Sequence, residues 1–593
     1  MKQFFKMFFA SLLAMVIAGL IVFVIVIGSV VSLVSKATTD AGTTTTVSPE
    51  SVLCIRLDKT FHEQGENNSL AAFSDESGFS AGLYDAVLAL EAAKKDDKIL
   101  GILLELGETP NNWATLQQLR TAIVDFRSSG KFIYAYGEQI PQRAYYLASA
   151  ADSVFLNPVG AAEINGLATN MAFFKGTLDK LEIQPEIFYA GKFKSATEPF
   201  RAEKASEPNK QQIAAIQNGL WTEFVAAVSE HTGADAAAIR RMTDSGAIRF
   251  PSDALAYKLV DGLLYRDQVE QMIRAKTGQK ETEKIRYVKL DEYAQRHRKI
   301  TDKTRIAVLF AEGDITDGKK KSDYGVASED FVKTIRSIRN NDKIKAVVMR
   351  VNSPGGSALA SEVILRELQL LKEKKPLIVS MGDLAASGGY YIACQADSIF
   401  AMPTTITGSI GVFAMMFNIE KLMKNKLGVT FDEVKNAPYA DFPSATRPLT
   451  PSEATRLQGH VDTIYAIFKR RVSAGRNMPE DKVDSLAQGR VWSGTDALAN
   501  GLVDGLGNLD RAIRSAAAKA AISDYQVVTY PERVDKLESL MRRFSSGNIS
   551  SELVRESLKQ EFDTEYEWYR QIRDLKTMNG RIMMAMPFRV QIR

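Results

Sequence analysis

From residue 51 onward, short runs of branched apolar residues alternate with stretches in which apolar positions recur every three or four residues. Ile99–Leu106 and Ile344–Val351 are of the first kind and predict buried parallel strands. Phe132–Tyr136, Pro376–Met381, Ser153–Leu156 and Ser398–Ala401 predict further strands. Ala358 to Glu373 is of the second kind: Ala360, Ile364, Leu368 and Leu371 fall on one face of a helix. Strand–helix–strand alternation predicts an α/β fold with mostly parallel sheets. The stretch from Met7 to Val34 follows neither pattern. Its 28 residues carry no charge, and a helix needs only roughly 20 apolar residues to span a bilayer. A cleaved secretory signal has a core of about 7–15 apolar residues, so an uncleaved anchor is expected. Lys2 and Lys6 precede it and Lys36 follows closely. That asymmetry points the N-terminus toward the cytoplasm and the rest of the chain into a periplasm-like space.

The pattern also repeats. Ala144 to Pro158 (AYYLASAADSVFLNP) matches Gly389 to Pro403 (GYYIACQADSIFAMP) at eight of fifteen positions, 245 residues apart. The same offset aligns the segment from Asp96 with that from Asn341. Asp253 to Leu263 matches Asp496 to Leu506 at nine of eleven positions. A spacing this long is that of a duplicated domain rather than a solenoid.

Composition narrows the function. The 593 residues are 45% hydrophobic and 25% charged, as in ordinary globular proteins. A net charge of +4 on this length gives no support for nucleic-acid binding. Two cysteines, Cys54 and Cys394, exclude a disulfide scaffold and a four-cysteine zinc site, and are read as buried thiols. Four scattered histidines leave no metal motif, so no metal and no cofactor are expected.

Because the chain contains two copies of one domain, the positions at which the copies differ are candidates for chemistry. Ser387 and Gly388 open the helix after the strand ending MGDLAA; the first copy has Gln142 and Arg143 there. A serine at a helix start followed by glycine suits a nucleophile with a backbone oxyanion donor. Gly355 and Gly356, in VNSPGGS, sit at a strand end where the first copy has no glycine pair, and free N–H groups to face a cleft. No GxxxxGK[ST] occurs, so nucleotide binding is weakly supported. In GKFKSATEPF the first copy carries Lys194, where the second has Pro443. One copy thus has the serine and the other the lysine. A serine needs a base, and a buried lysine can be neutral enough to serve. Ser409, in TGSIGVF, replaces Ile164 and offers a hydroxyl to orient the lysine. Asp383 is read as structural. The expected oxyanion donors are the Gly388 N–H and one N–H of the Gly355–Gly356 turn.

These motifs together, with the GRVWSG segment at Gly489, resemble the long, duplicated form of the bacterial signal peptide peptidase A family, which has the Clp protease–crotonase fold. The resemblance implies a serine endopeptidase of the bacterial inner membrane, single-pass, with its catalytic part on the periplasmic side. It implies Ser387 as nucleophile, Lys194 as base and Ser409 as the serine that binds the lysine. It further implies cleaved signal peptides as substrates and a homotetramer enclosing the active sites. The expected division is an anchor at 1–36, a flexible linker at 37–50, repeats at 51–300 and 301–534, and a tail at 535–593. The tail is helical in pattern over Val534–Phe544 and Ser551–Leu575; its Met-rich end, Ile582–Met586, is read either as packing on a neighbour or the membrane or, in preference, as part of a C-terminal helix capping its own domain. Two competing readings remain: a crotonase-like acyl-thioester enzyme and an inactive membrane scaffold.

Overall fold

The computed structural model describes residues 7, 15, 17, 47–68, 78–296, 304–320, 324–533, 535 and 580–586. Apart from Met7, Met15 and Ile17, the expected anchor lies outside the described residues, as do most of its linker and, apart from Asp535, the two helical readings of the tail. Among the described residues no helix is long and apolar enough to cross a membrane.

Each copy builds a parallel sheet. In the first, the strand order is Gly262–Leu263, Ser153–Ala162, Phe132–Ile140, Ile99–Glu105, Ser51–Arg56, Tyr287–Lys289, parallel throughout. In the second, Leu377–Ala386, Ile344–Ser353, Arg305–Glu312 and Gln526–Tyr530 form the corresponding parallel run, with Ile406–Gly408 and Val491–Ser493 at the other edge. The fold is α/β, made of two tandem repeats with mostly parallel sheets. Central strands such as Ile344–Ser353 are apolar on both faces because helices cover both sides. Ala358–Lys372, for example, buries Ala360, Ile364, Leu368 and Leu371 against the second core.

Positions shared by the copies carry the same bonds. Tyr145 Oη donates to the Leu259 carbonyl at 2.7 Å, and Tyr390 Oη to the Leu502 carbonyl at 2.8 Å. Asp261 accepts from the Val154 N–H, as Asp504 does from the Ile399 N–H. The duplication is therefore one framework built twice.

The copies are joined in two ways. A buried polar seam runs between them: Arg350 donates to Glu63 (2.8 Å) and Gln118 (3.1 Å), and Asp383 accepts from the Thr115 N–H (2.9 Å) and hydroxyl (2.6 Å). Removing one member of such a buried ion pair costs about 3–5 kcal/mol. The second link is a mixed sheet. Its order is Val326–Ala327, Ile315–Thr316, Gly355–Ser357, Arg581–Ala585, Val412–Asn418, Gln184–Ala190. Gln184–Ala190 belongs to the first copy and pairs antiparallel along the whole of Val412–Asn418.

The tail differs from its helical reading where it is described. Arg581–Ala585 is a strand, with Met583, Met584 and Ala585 all buried. Five consecutive residues with little polarity suit a strand covered on both faces, and so short a run does not by itself distinguish strand from helix.

Candidate active site

Strand Leu377–Ala386 runs on past the expected end at Met381 and stops one residue before Ser387; helix Gly388–Ala393 starts one residue after it. The turn between them is tight. Ser387 has φ 55° and ψ −112°, a backbone conformation uncommon for a residue with a Cβ. It is held by its N–H donating to the Gly408 carbonyl and its carbonyl accepting from the Tyr391 N–H, both at 2.8 Å. Such strain persists only where the surroundings over-determine it. The helix is six residues long, so its dipole is a small contribution.

Lys194 arrives from the other copy. Strand Gln184–Ala190 delivers the chain to Gly191, whose φ of 104° turns it against Gln488 and Gly489. The Phe193 N–H donates to the Gln488 carbonyl at 2.8 Å. A Cβ on Gly489 would fall 2.6 Å from the Lys194 Cβ, so the glycine makes room for the lysine. The neighbouring Arg490 carbonyl accepts from the Ser409 N–H at 2.7 Å. One short segment, 488–490, thus fixes the backbones of both Lys194 and Ser409. Sequence reasoning did not identify this clamp; its only trace was the GRVWSG segment, in which Gly489 has no side chain to mark its role.

Lys194 Nζ lies 3.0 Å from Ser387 Oγ, 3.1 Å from Ser409 Oγ and 3.3 Å from the Ser409 carbonyl. All three residues are at most 1% exposed. Burial holds the lysine amine well below its ordinary value of 10.5, and no carboxylate opposes that shift. Ser387 Oγ is also 3.5 Å from the Gly411 carbonyl, too long for a strong bond. The Gly388 N–H occupies the first helical position, where no intrahelical acceptor exists. Gly355 (φ 96°) and Gly356 form a short strand across from it, and the Gly355 N–H is engaged by Ser353 Oγ at 3.1 Å. That leaves the Gly356 N–H as the better partner for Gly388; the sequence had not chosen between the two glycines.

Asp383 points away from this cluster to Thr115. Both cysteines are free, and burial pushes each thiol up to about 12, which makes neither a nucleophile at neutral pH. Among the described residues no group of three or more histidine, cysteine or acidic side chains could hold a metal ion. A hydroxyl, a desolvated amine and converging backbone N–H groups are the components of acyl transfer.

Comparison with known proteins agrees with this chemistry. The profile of peptidase family S49 matches residues 125–280 and again 369–523, and that of Clp protease matches 299–407. The chain is 37% identical to Protease 4 of Salmonella typhi over 471 residues, covering 77% of this chain and 75% of the relative. It is 34% identical to Protease 4 of Haemophilus influenzae, covering 80% and 79%. It is 33% identical to the chloroplastic serine protease SPPA of Arabidopsis thaliana, covering 77% and 69%.

Proposed function

The chain belongs to peptidase family S49, and on that footing we propose that it is a membrane-anchored serine endopeptidase working through a Ser387–Lys194 dyad. The observation that carries the reading is the 3.0 Å approach of Lys194 Nζ to Ser387 Oγ in a buried site without a carboxylate. A neutral amine has two N–H donors and one lone pair. The Ser409 carbonyl and hydroxyl take the two donors, which turns the lone pair toward the Ser387 O–H. Ser409 is then the positioning residue and Lys194 the general base.

Ser387 Oγ attacks the peptide carbonyl as Lys194 takes its proton. The oxyanion accepts from the Gly388 and Gly356 N–H groups, with Gly355 allowing the close approach. Lys194 then returns the proton to the leaving amine, and water hydrolyses the acyl enzyme with the same lysine as base. The substrates are extended apolar peptides, cleaved signal peptides above all, which pair with the strand edges beside the glycines. Residues 7–34 tether the enzyme to the bacterial inner membrane with the catalytic part on the periplasmic side, and the assembled form is a homotetramer. Cleavage of a fluorogenic apolar peptide by wild type, Ser387→Ala and Lys194→Ala tests the reading. Both variants are expected to be folded and inactive. Wild-type rates in Lys194→Ala would refute the dyad, and a requirement for a CoA thioester would favour the acyl-thioester alternative.

A further inference from the structure

The segment that carries Lys194 is held from the second copy by Gln488, whose carbonyl accepts from the Phe193 N–H. It is held from the first copy by one side chain. Gln212 lies in the second turn of helix Glu207–Thr232 and is 1% exposed. Its Nε2 faces three acceptors: the Phe193 carbonyl at 3.2 Å, Ser195 Oγ at 3.0 Å and Asn209 Oδ1 at 3.1 Å. Its Oε1 accepts from the Val491 N–H at 3.2 Å. A carbonyl on one side and an N–H on the other fix which way the amide points. Gln212 therefore touches the residue before Lys194, the residue after it, and the residue after Arg490, whose carbonyl holds the Ser409 N–H. One amide joins the peptide of the amine to the strand that fixes the hydroxyl beside it.

The helix is itself anchored. Asn209, one turn before Gln212 on the same face, donates to Glu198 Oε2 at 2.8 Å. Glu198 is 2% exposed and also accepts from the Ser206 N–H at 3.2 Å and from the Ser206 hydroxyl. The second copy keeps this anchor as an ion pair and drops the amide. Arg447 stands at the place of Glu198, and Glu453 at that of Asn209; Arg447 Nη2 donates to Glu453 Oε1 at 2.7 Å. Counted from the N-caps Ser206 and Thr450, Arg456 stands at the place of Gln212. It is exposed, its guanidinium over the rings of Tyr439 and Phe442. No base is held there, since Pro443 replaces Lys194. The helix anchor belongs to the framework of both copies; the buried amide occurs only where there is a lysine to aim.

We propose that Gln212 is a positioning residue for the base: by tying both neighbours of Lys194 to strand Val491–Ser493, its amide sets the distance from Lys194 Nζ to Ser387 Oγ. The assignment rests on the dyad reading above and adds to it a residue outside the reacting groups. A neutral side chain suits the place. Lys192 and Arg490 lie against the Phe193 ring and Glu198 is taken up by Ser206 and Asn209, while burial alone lowers the lysine amine. The amide holds the backbone without bringing a charge to the pocket. Freed from it, the segment shifts and admits water. The base then stands too far away for fast proton transfer, and its amine recovers part of its ordinary value.

Hydrolysis of a fluorogenic apolar peptide by the full chain, followed from about pH 6 to 10, tests this. Gln212→Met fills much the same space without the polar groups. Its kcat is expected about tenfold below wild type with KM within about twofold, and the midpoint of its pH profile about half a unit or more higher. Tyr145→Phe, which removes a buried hydrogen bond of the first framework far from the dyad in sequence, is the control for lost stability. A merely destabilised fold lowers activity alike at every pH. A loss carried by KM, a kcat within about twofold of wild type, or a midpoint no higher than that of Tyr145→Phe therefore overturns the proposal. Should Gln212→Met not fold, Gln212→Asn, one methylene shorter and unable to reach both sides, is judged by the same measures. Lys194→Ala in the same assay separates this role from the dyad. Wild-type behaviour of Gln212→Met beside an inactive Lys194→Ala refutes the positioning role and leaves the dyad standing; wild-type rates in Lys194→Ala refute both.

Discussion

The two copies share a framework and divide its uses. Where they share a residue, the residue does the same job twice. Lys131 Nζ donates to the carbonyls of Ala93 and Asp96, and Lys375 Nζ donates to those of Ile338 and Asn341. Where they differ, the second copy presents reactive groups and the first has packed the corresponding space. Gln142, at the place of Ser387, grips the Asn165 and Gly166 N–H groups and the Gly166 carbonyl. Arg143, at the place of Gly388, donates to the Asn111 carbonyl, and Asn111 itself ties down Lys59 and Phe61. Ile164, opposite Ser409, is 2% exposed and sits in the first core. The first copy has turned its cleft into structure, and from it Lys194 reaches across to Ser387 and Ser409 of the second; on the proposed mechanism that amine is its one chemical contribution.

The comparison can be broken most decisively at Ser387 and Lys194. Ser387→Ala is expected to lower kcat/KM for a peptide by about 10³-fold or more, and Lys194→Ala by a similar factor. The double variant should be little worse than either, because groups acting as a unit are not additive. An additive double loss would show that the two copies contribute independently.

Next come the groups that aim the lysine. Gly489→Ala is expected to lower kcat by about 10–100-fold with KM held, because a displacement of the base by about 1 Å is enough. Ser409→Ala is expected to cost about tenfold, the worth of one buried hydrogen bond. Steady-state kinetics on both, with circular dichroism as the check on folding, would separate aiming from collapse.

The pH dependence sharpens the same point. Activity should rise with pH through the lowered amine value and be flat well before 10.5; a rise only near 10.5 would mean the amine is not desolvated. Stability carries the opposite face of that shift. Between the lowered value and 10.5 the unfolded chain holds a proton that the folded chain has released, so wild-type stability climbs with pH across that window. Lys194→Met lacks this climb. Its stability advantage over wild type is expected at neutral pH and should shrink toward 10.5, as read by denaturant melts at stepped pH. The smallest effect is in the first copy: Gln142→Ala should cost about 1 kcal/mol of stability and leave kcat/KM within about twofold.

Much of this was legible because the chain contains its own control. The duplication separated framework from chemistry, and Ser387, Lys194 and Ser409 all stood out as positions where one copy departs from the other. Three strands of each copy, among them the central Ile99–Glu105 and Ile344–Ser353, were legible from local apolar runs; others of the same sheets, such as Ser51–Arg56 and Arg305–Glu312, were not picked out. What was not legible is long-range pairing. Gln184–Ala190 gives no local sign that it will join a strand more than two hundred residues later. Arg581–Ala585 was assigned to a helix because its neighbours look helical, while its real surroundings are two strand edges far away in sequence. Gly489 shows no functional signature because its contribution is empty space, and space is visible only once the lysine stands beside it.

Under the proposed mechanism, the crossing of Gln184–Ala190 into the second copy acts as an interlock. A chain that stops short of the second copy holds an amine with nothing to deprotonate, and one that lacks the first holds an alcohol with nothing to take its proton. On that mechanism cutting begins only once the last-made half has closed over the first.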